Sequence, residues 1–227
     1  MKFAAVAFDL DGTLYPNYRF YVRLIPFLLK EQHYLRAFGK ARNMLRAEEG
    51  KPPAGEGSFY ERQARYMAKI LGQDAEMLMA RTEKIIYRGW EPLFKNIKLF
   101  PAVAETLSAL KLAGVKLGLL SDFPPEIKLE ALGLSGYWDT VLCSETLGAL
   151  KPDPLPFREL ARAMGFPPEE ILYVGNSFAY DVLGARKVGM KTAWVSSRRK
   201  CRNGGIGGEK ADFSFFDYRQ LRDYMLI

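Results

Sequence analysis

With 227 residues, 48% of them hydrophobic, the chain is long enough to bury a sizeable core as one large domain or two unequal ones. Two cysteines, Cys143 and Cys201, form neither a disulfide framework nor a metal-ligand spacing, and no apolar run approaches the ~20 residues of a membrane span. A soluble protein of a reducing cytoplasm is expected, with no export signal and no membrane contact.

The first element in the chain is FAAVAF at 3–8, an apolar run of buried-strand type that ends in two carboxylates one residue apart, Asp9 and Asp11. Residues 15 to about 95 then offer no convincing strand and read as helices around 18–48, 57–71 and 74–89, with KPPAGEG at 51–57 as a loop. A structureless connection of that size is implausible inside a compact sheet, so the segment is expected to be a small helical subdomain standing over it. It also holds most of the charge excess behind the net +7, with 15 Lys and Arg against 9 Asp and Glu; the rest of the chain holds 18 against 17. From 19 to 46 only Glu31 opposes seven basic residues. Such a run is either a solvated helix face or an anion-attracting surface beside a site. The single histidine, His33, lies in this segment and reads as ordinary surface.

From residue 100 onward, short apolar runs alternate with amphipathic stretches: VKLGLL (115–120), TVLC (140–143), ILYVG (171–175) and KTAWV (191–195). Strands alternating with helices of this length imply right-handed βαβ units and a parallel sheet covered on both faces. DFSFF at 212–216 is expected as a further edge strand. SSRRKCRNGGIGGEKA at 196–211 reads as a mobile loop, Gly-rich but without a P-loop pattern. The expected fold is thus α/β, a Rossmann-like parallel-sheet core over 1–14 and 98–227, with a smaller all-helical cap, 15–97, inserted after the first strand.

Polar residues fall where the apolar runs end. Asp9 and Asp11 close the first strand, Ser121 and Asp122 the second, and Asn176 and Ser177 follow ILYVG with Asp181 five residues beyond; Lys151 sits in the LKPDP loop after TVLC. Each group alone could be a helix cap or turn former. Together they lie at the carboxyl edge of a parallel sheet, where such folds bind ligands. Carboxylates sharing one crevice call for a cation between them, and an all-oxygen donor set without Cys or His selects a hard ion such as Mg²⁺.

In their order and spacing, DLDGT at Asp9–Thr13, strand-terminal Ser121, Lys151 of KPDP and GNSFAYD at Gly175–Asp181 resemble the four motifs of the haloacid dehalogenase-like superfamily, phosphatase branch. The resemblance spans the whole chain. It implies phosphoryl transfer with Asp9 as nucleophile and Asp11 as general acid and then base, Ser121 holding a phosphoryl oxygen and Lys151 neutralising charge. Thr13 would fix Asp11, while the backbone after Asp9 at Leu10, together with Asp122, would support the phosphate site. Mg²⁺ would be held by Asp9, Asp11, Asn176 and Asp181. Asn176 departs from the usual Gly-Asp start of the fourth motif and implies weaker metal affinity. The partner implied is a small phosphorylated metabolite rather than nucleic acid. Tyr15, Asn17, Arg19 and Arg23, just past the first motif, would overhang the site, with Arg19 or Arg23 reaching an anionic or polar leaving group and the aromatic start of the cap suiting a base or ring. A dehalogenase, a phosphomutase and a non-catalytic binding protein are the competing readings; Asp11 argues against the first, since a carbon–halogen bond leaves no oxygen to protonate.

Overall fold

The computed structural model describes residues 2–48 and 57–227, so most of the loop expected at 51–57 lies outside the described residues. The opening apolar run forms β1 (Ala5–Phe8), with all four residues buried. The insertion follows as α1 (Asn17–Arg46), α2 (Phe59–Leu71) and α3 (Ala75–Thr82), then a π-helical turn at Glu83–Arg88 and a 3₁₀ turn at Glu91–Phe94. Local chemistry sets these limits. Ser58 and Glu61 make a reciprocal capping box on α2, Gly72 closes it with φ 65°, and Asp74 accepts from the Met77 amide to start α3. The long first helix departs from the sequence reading in one respect: it is interrupted at Glu31 (φ −119°, ψ 25°), a residue whose carboxylate is held by Arg81 at 2.6 Å.

After the insertion the chain alternates as expected: α4 (Val103–Leu112), β2 (Lys116–Ser121), α5 (Glu126–Ala131), β3 (Thr140–Cys143), α6 (Pro154–Met164), β4 (Ile171–Gly175), α7 (Leu183–Arg186) and β5 (Lys191–Val195). Next come α8 (Arg198–Asn203), the short strands β6 (Gly205–Ile206) and β7 (Glu209–Lys210), β8 (Phe213–Phe215) and α9 (Tyr218–Leu226). The main sheet has the order β3-β2-β1-β4-β5-β8, and every neighbouring pair is parallel. This is the Rossmann-like arrangement. The 212–216 run is the expected edge strand, but 196–211 is no loop: it folds as α8 and the β6–β7 hairpin, because Gly207 (φ 61°) and Gly208 (φ 88°) supply the two left-handed positions of a tight turn. Among the described residues no helix is long and apolar enough to cross a membrane.

Apolar side chains pack on both faces of the sheet. Phe8, Leu107, Leu119 and Leu221 lie in one cluster, and Ala7, Leu120, Phe157 and Tyr173 in another. The helical insertion has a cluster of its own, including Tyr34, Phe38, Met67, Leu78 and Ile86. Its two ends join the sheet core instead, through Phe20, Leu24 and Phe94. Where they cross, the Phe100 amide donates to the Leu14 carbonyl at 3.0 Å.

The loop carrying Lys151 is backed by a close approach of α7. A Cβ on Gly184 would lie 2.6 Å from the Phe157 ring and 3.1 Å from the Pro152 Cα. Gly184→Ala is therefore expected to cost about 1–3 kcal/mol, the usual penalty of overpacking a filled core. A urea midpoint unchanged from wild type would contradict this packing.

Candidate active site

Register delivers the site residues together. Phe8 pairs with Leu119 and Val174, so the residues just past these pairs, Asp9, Ser121 and Asn176, leave three adjacent strands at one edge. The Asp9 amide extends the ladder by donating to the Val174 carbonyl at 2.9 Å. Lys151 reaches the same edge from the loop after β3, and Asp181 from the π-helical turn Phe178–Val182 after β4.

At the centre, the Lys151 ammonium donates to Asp9 Oδ1 and Asp181 Oδ1, both at 2.7 Å, and to the Tyr173 hydroxyl at 3.2 Å. All three charged residues are nearly fully buried, at 6% exposure for Asp9, 3% for Lys151 and 1% for Asp181. Burial opposes the Lys151 charge, but Asp181 and Asp9 overcome it and hold its pKa well above the ordinary lysine value. For Asp9, burial is the larger effect and pushes the carboxyl up to about 7; Lys151 pulls it down, Asp181 pushes it further up. Its second oxygen accepts from the Thr13 hydroxyl at 2.6 Å. The expectation that Thr13 fixes Asp11 is corrected: four residues along a tight turn, its hydroxyl returns to Asp9.

Asp11 is held from the other side. Its carboxylate accepts from the Tyr15 hydroxyl and from the Lys128 ammonium, the latter at 2.6 Å. Lys128 is itself buried on α5, 5.1 Å from the centroids of both the Phe94 and Phe123 rings. The sequence reading did not include it. Its only signal is a lysine one turn before Leu132 on the buried face of a short helix.

Ser121 is fully buried, and its oxygen accepts from the Phe123 amide at 3.2 Å. Leu10 is buried and its carbonyl receives the Thr13 and Leu14 amides, the turn that places Thr13 under Asp9. Gly12, with φ 85°, is needed in that turn, since a Cβ there would lie 2.3 Å from Asn176 Nδ2 and 2.5 Å from Asn17 Nδ2. Asp122 accepts from the Lys151 amide at 3.1 Å and from Arg46 at 2.9 Å, so it secures the lysine loop.

Of the four expected metal ligands, two converge: Asp9 Oδ2 and Asn176 Oδ1 both approach the Thr13 hydroxyl, at 2.6 and 3.4 Å. The other two side chains are engaged elsewhere. Asp181 accepts from Lys151 and from the Ser177 amide at 2.9 Å, while the Asp11 carboxylate is turned to Tyr15 and Lys128. Among the described residues no three acidic, His or Cys side chains gather as a metal site. The donor chemistry nevertheless fits Mg²⁺, which commonly takes one or two protein oxygens and fills the rest of its shell with water and phosphate oxygens. The charge fits too, since two buried carboxylates face one ammonium.

Between the insertion and the sheet edge lies a cavity of about 970 Å³ that Asp11 faces, along with Tyr15 and Asn17. Arg19 and Arg23 are not in its lining. Arg23 donates to the Leu93 and Lys95 carbonyls, and Arg19 to the neighbouring Tyr18 hydroxyl. These contacts turn Arg23 to the backbone at 93 and 95 and leave Arg19 half-buried beside Tyr18. Nor is the basic run of α1 simply solvated or anion-attracting: Arg42 pairs with buried Glu145, and Arg46 bonds Asp122 and the Lys151 carbonyl.

A parallel sheet with an aspartate at the end of its first strand, a lysine and a second carboxylate behind it and a helical insertion in front defines a class of α/β hydrolase. The chain belongs to the haloacid dehalogenase-like hydrolases: the model of that family matches residues 3–189. It is 32% identical over 203 residues to a glyceraldehyde 3-phosphate phosphatase of Methanopyrus kandleri, covering 84% of this chain and 83% of that protein. It is 30% identical over 248 residues to a phosphoglycolate phosphatase of Escherichia coli O157:H7, covering 97% and 90%. Among solved structures, a HAD phosphatase from Thermococcus onnurineus superposes with a TM-score of 0.63 at 26% identity, covering 99% of this chain and 98% of that one.

The Asp122 contacts generate a pH-dependent test. Burial opposes its charge, but Lys151, Arg42 and Arg46 prevail and hold the carboxyl below its ordinary 3.8. A depressed carboxyl stabilises the fold above the unfolded value and loses that contribution as pH falls through the folded one. Asp122→Asn should thus lower stability by roughly 2 kcal/mol at pH 7. The gap to wild type should narrow below about pH 4; a gap independent of pH would contradict the assignment.

Proposed function

We propose that this chain is a Mg²⁺-dependent phosphatase that hydrolyses phosphomonoesters of small metabolites through an aspartyl-phosphate on Asp9. The observation that carries the reading is the Asp9 carboxylate itself, anchored by Lys151 and Thr13 at the end of β1, with Asp11 two residues on and facing the cavity. The phosphatase relatives at 30–32% identity support the reaction class.

In this reading an Asp9 oxygen attacks phosphorus, and the bond from phosphorus to the leaving oxygen breaks with its electron pair on that oxygen. Asp11 supplies the proton. The Asp11 carboxylate so formed is stabilised by Lys128 and the Tyr15 hydroxyl until it takes a proton from the water that attacks the phosphoryl group. That attack releases inorganic phosphate and restores Asp9. Ser121 and the amides after Asp9 hold the phosphoryl oxygens, and Lys151 neutralises charge on Asp9 throughout. Mg²⁺, held by Asp9 and Asn176, would neutralise phosphoryl charge. Residues 15–97 act as a cap that excludes water during the first step and opens for the second. A dehalogenase would need no acid at Asp11, whereas here that carboxyl is built into the cavity wall.

Two measurements follow. Asp9→Asn should lower Mg²⁺-dependent phosphate release from 4-nitrophenyl phosphate by about 10³-fold or more while the protein stays folded; residual activity near wild type would refute the nucleophile. Asn176→Asp adds a charge to the metal site and should lower the half-saturating Mg²⁺ concentration by about tenfold. An unchanged Mg²⁺ titration would show that Asn176 does not face the ion.

A further inference from the structure

Resting on the phosphatase reading, we infer that the leaving group is bulky, apolar and free of a second negative charge, best filled by an alcohol carrying an aromatic ring system. The first observation is size. A cavity of about 970 Å³ is of the scale that encloses a drug-sized molecule, and the two- or three-carbon leaving group of a glycolate or triose phosphate would leave most of it to water.

The second is the chemistry of the walls. Tyr15, Phe20 and Phe94 line the side nearest Asp11, Phe123 lies beside Lys128, and Tyr60, Tyr87 and Trp90 come from the insertion. These rings are already arranged edge-to-face or stacked on one another: Phe20 stacks on Phe94 at 4.8 Å, and Tyr60 meets Tyr87 edge-on at 5.5 Å. Fixed aromatic faces reward an apolar or ring-bearing ligand and offer little to a polyol, whose hydroxyls would lose water without replacement.

The third is charge. The cavity's two cations are both paired. Arg88 holds Glu83 at 2.9 Å and Glu91 at 3.3 Å, and Lys128 holds Asp11 at 2.6 Å. Glu76 and Glu126 stand exposed in the lining with no cationic partner among the described residues. A carboxylate or second phosphate on the leaving group would meet these anions, with Arg88 held between Glu83 and Glu91 and Lys128 bonded to Asp11. Arg19 and Arg23 are not in the lining, and Arg23 is held by the Leu93 and Lys95 carbonyls. The reaction is otherwise unchanged: the ester's phosphorus–oxygen bond breaks, the alcohol leaves with the Asp11 proton, and water supplies the oxygen of the released phosphate.

The test separates binding from turnover by using phosphonates, which cannot be hydrolysed. With Mg²⁺ present, calorimetric titration of the full chain should show 2-(2-naphthyl)ethylphosphonate binding at least tenfold more tightly than ethylphosphonate, and phosphonoacetate binding most weakly. Ala80→Trp, which places a large side chain in the cavity from α3, should reduce the naphthylethyl-to-ethyl affinity ratio at least tenfold. Equal affinities, a preference for phosphonoacetate, or no detectable binding of any phosphonate would overturn the inference. Turnover of the matching phosphate esters, whose alkyl leaving groups have similar basicity, should rank in the same order. Phosphonate selectivity without Asp9-dependent hydrolysis of any ester would uphold the cavity's preference and refute the phosphatase reading instead.

Discussion

The arrangement turns on one buried cation. The Lys151 ammonium sits between Asp9 and Asp181 at 2.7 Å from each, in a place where none of the three charges could persist alone. Two carboxylates against one ammonium leave the pocket with an excess of negative charge, and burial, more than that excess, raises the Asp9 carboxyl. A divalent cation or a proton relieves the excess. Only one Asp9 oxygen is held by the lysine and the other accepts from a neutral hydroxyl, the arrangement that the proposed attack on phosphorus uses.

Holding a flexible side chain in that position requires a rigid loop, and much of the molecule contributes. Asp122 grips the Lys151 amide, Arg46 grips Asp122 and the Lys151 carbonyl, and Gly184 lets α7 close against Pro152. Arg42 adds a buried pair with Glu145 and lies 4.0 Å over the Phe123 ring, while Arg62 joins Glu48 to the Gly148 carbonyl. The insertion is therefore more than a roof over a cavity. The C-terminal end of α1 fastens the lysine loop and its N-terminal end lines the cavity, so the two roles are joined along one helix.

The parallel sheet, the helical insertion and the convergence of Asp9, Asp11, Ser121, Lys151 and Asn176 were legible in the sequence, because strand period and strand-end polarity are local patterns. What was illegible depends on partners far along the chain. Nothing near Thr13 says that its hydroxyl returns to Asp9, and nothing near Lys128 says that it meets Asp11 across 117 residues. The basic run of α1 was visible as charge, but its partners Asp122 and Glu145 lie in core loops, so two of its arginines became ties rather than solvated groups. Arg23 is illegible for a similar reason: the carbonyls to which it donates belong to residues 93 and 95. The 196–211 segment is lost at the level of turn chemistry, where paired glycines read as a mobile loop although they are what a two-residue hairpin needs.

The cavity is shaped by residues of the insertion and of the segment after Ser121, while Asp9, Lys151 and Asp181 are not in its lining. In the proposed reading, chemistry and selectivity occupy different parts of one chain and meet at Asp11. The stereochemical course at phosphorus tests the central claim most directly. Hydrolysis of a phosphorothioate monoester made chiral at phosphorus with one heavy oxygen isotope, in water carrying another, consists of two in-line displacements through a phosphorylated Asp9 and must retain configuration. Inversion would mean that water attacks the ester directly, and that the carboxylate held by Lys151 is not the nucleophile.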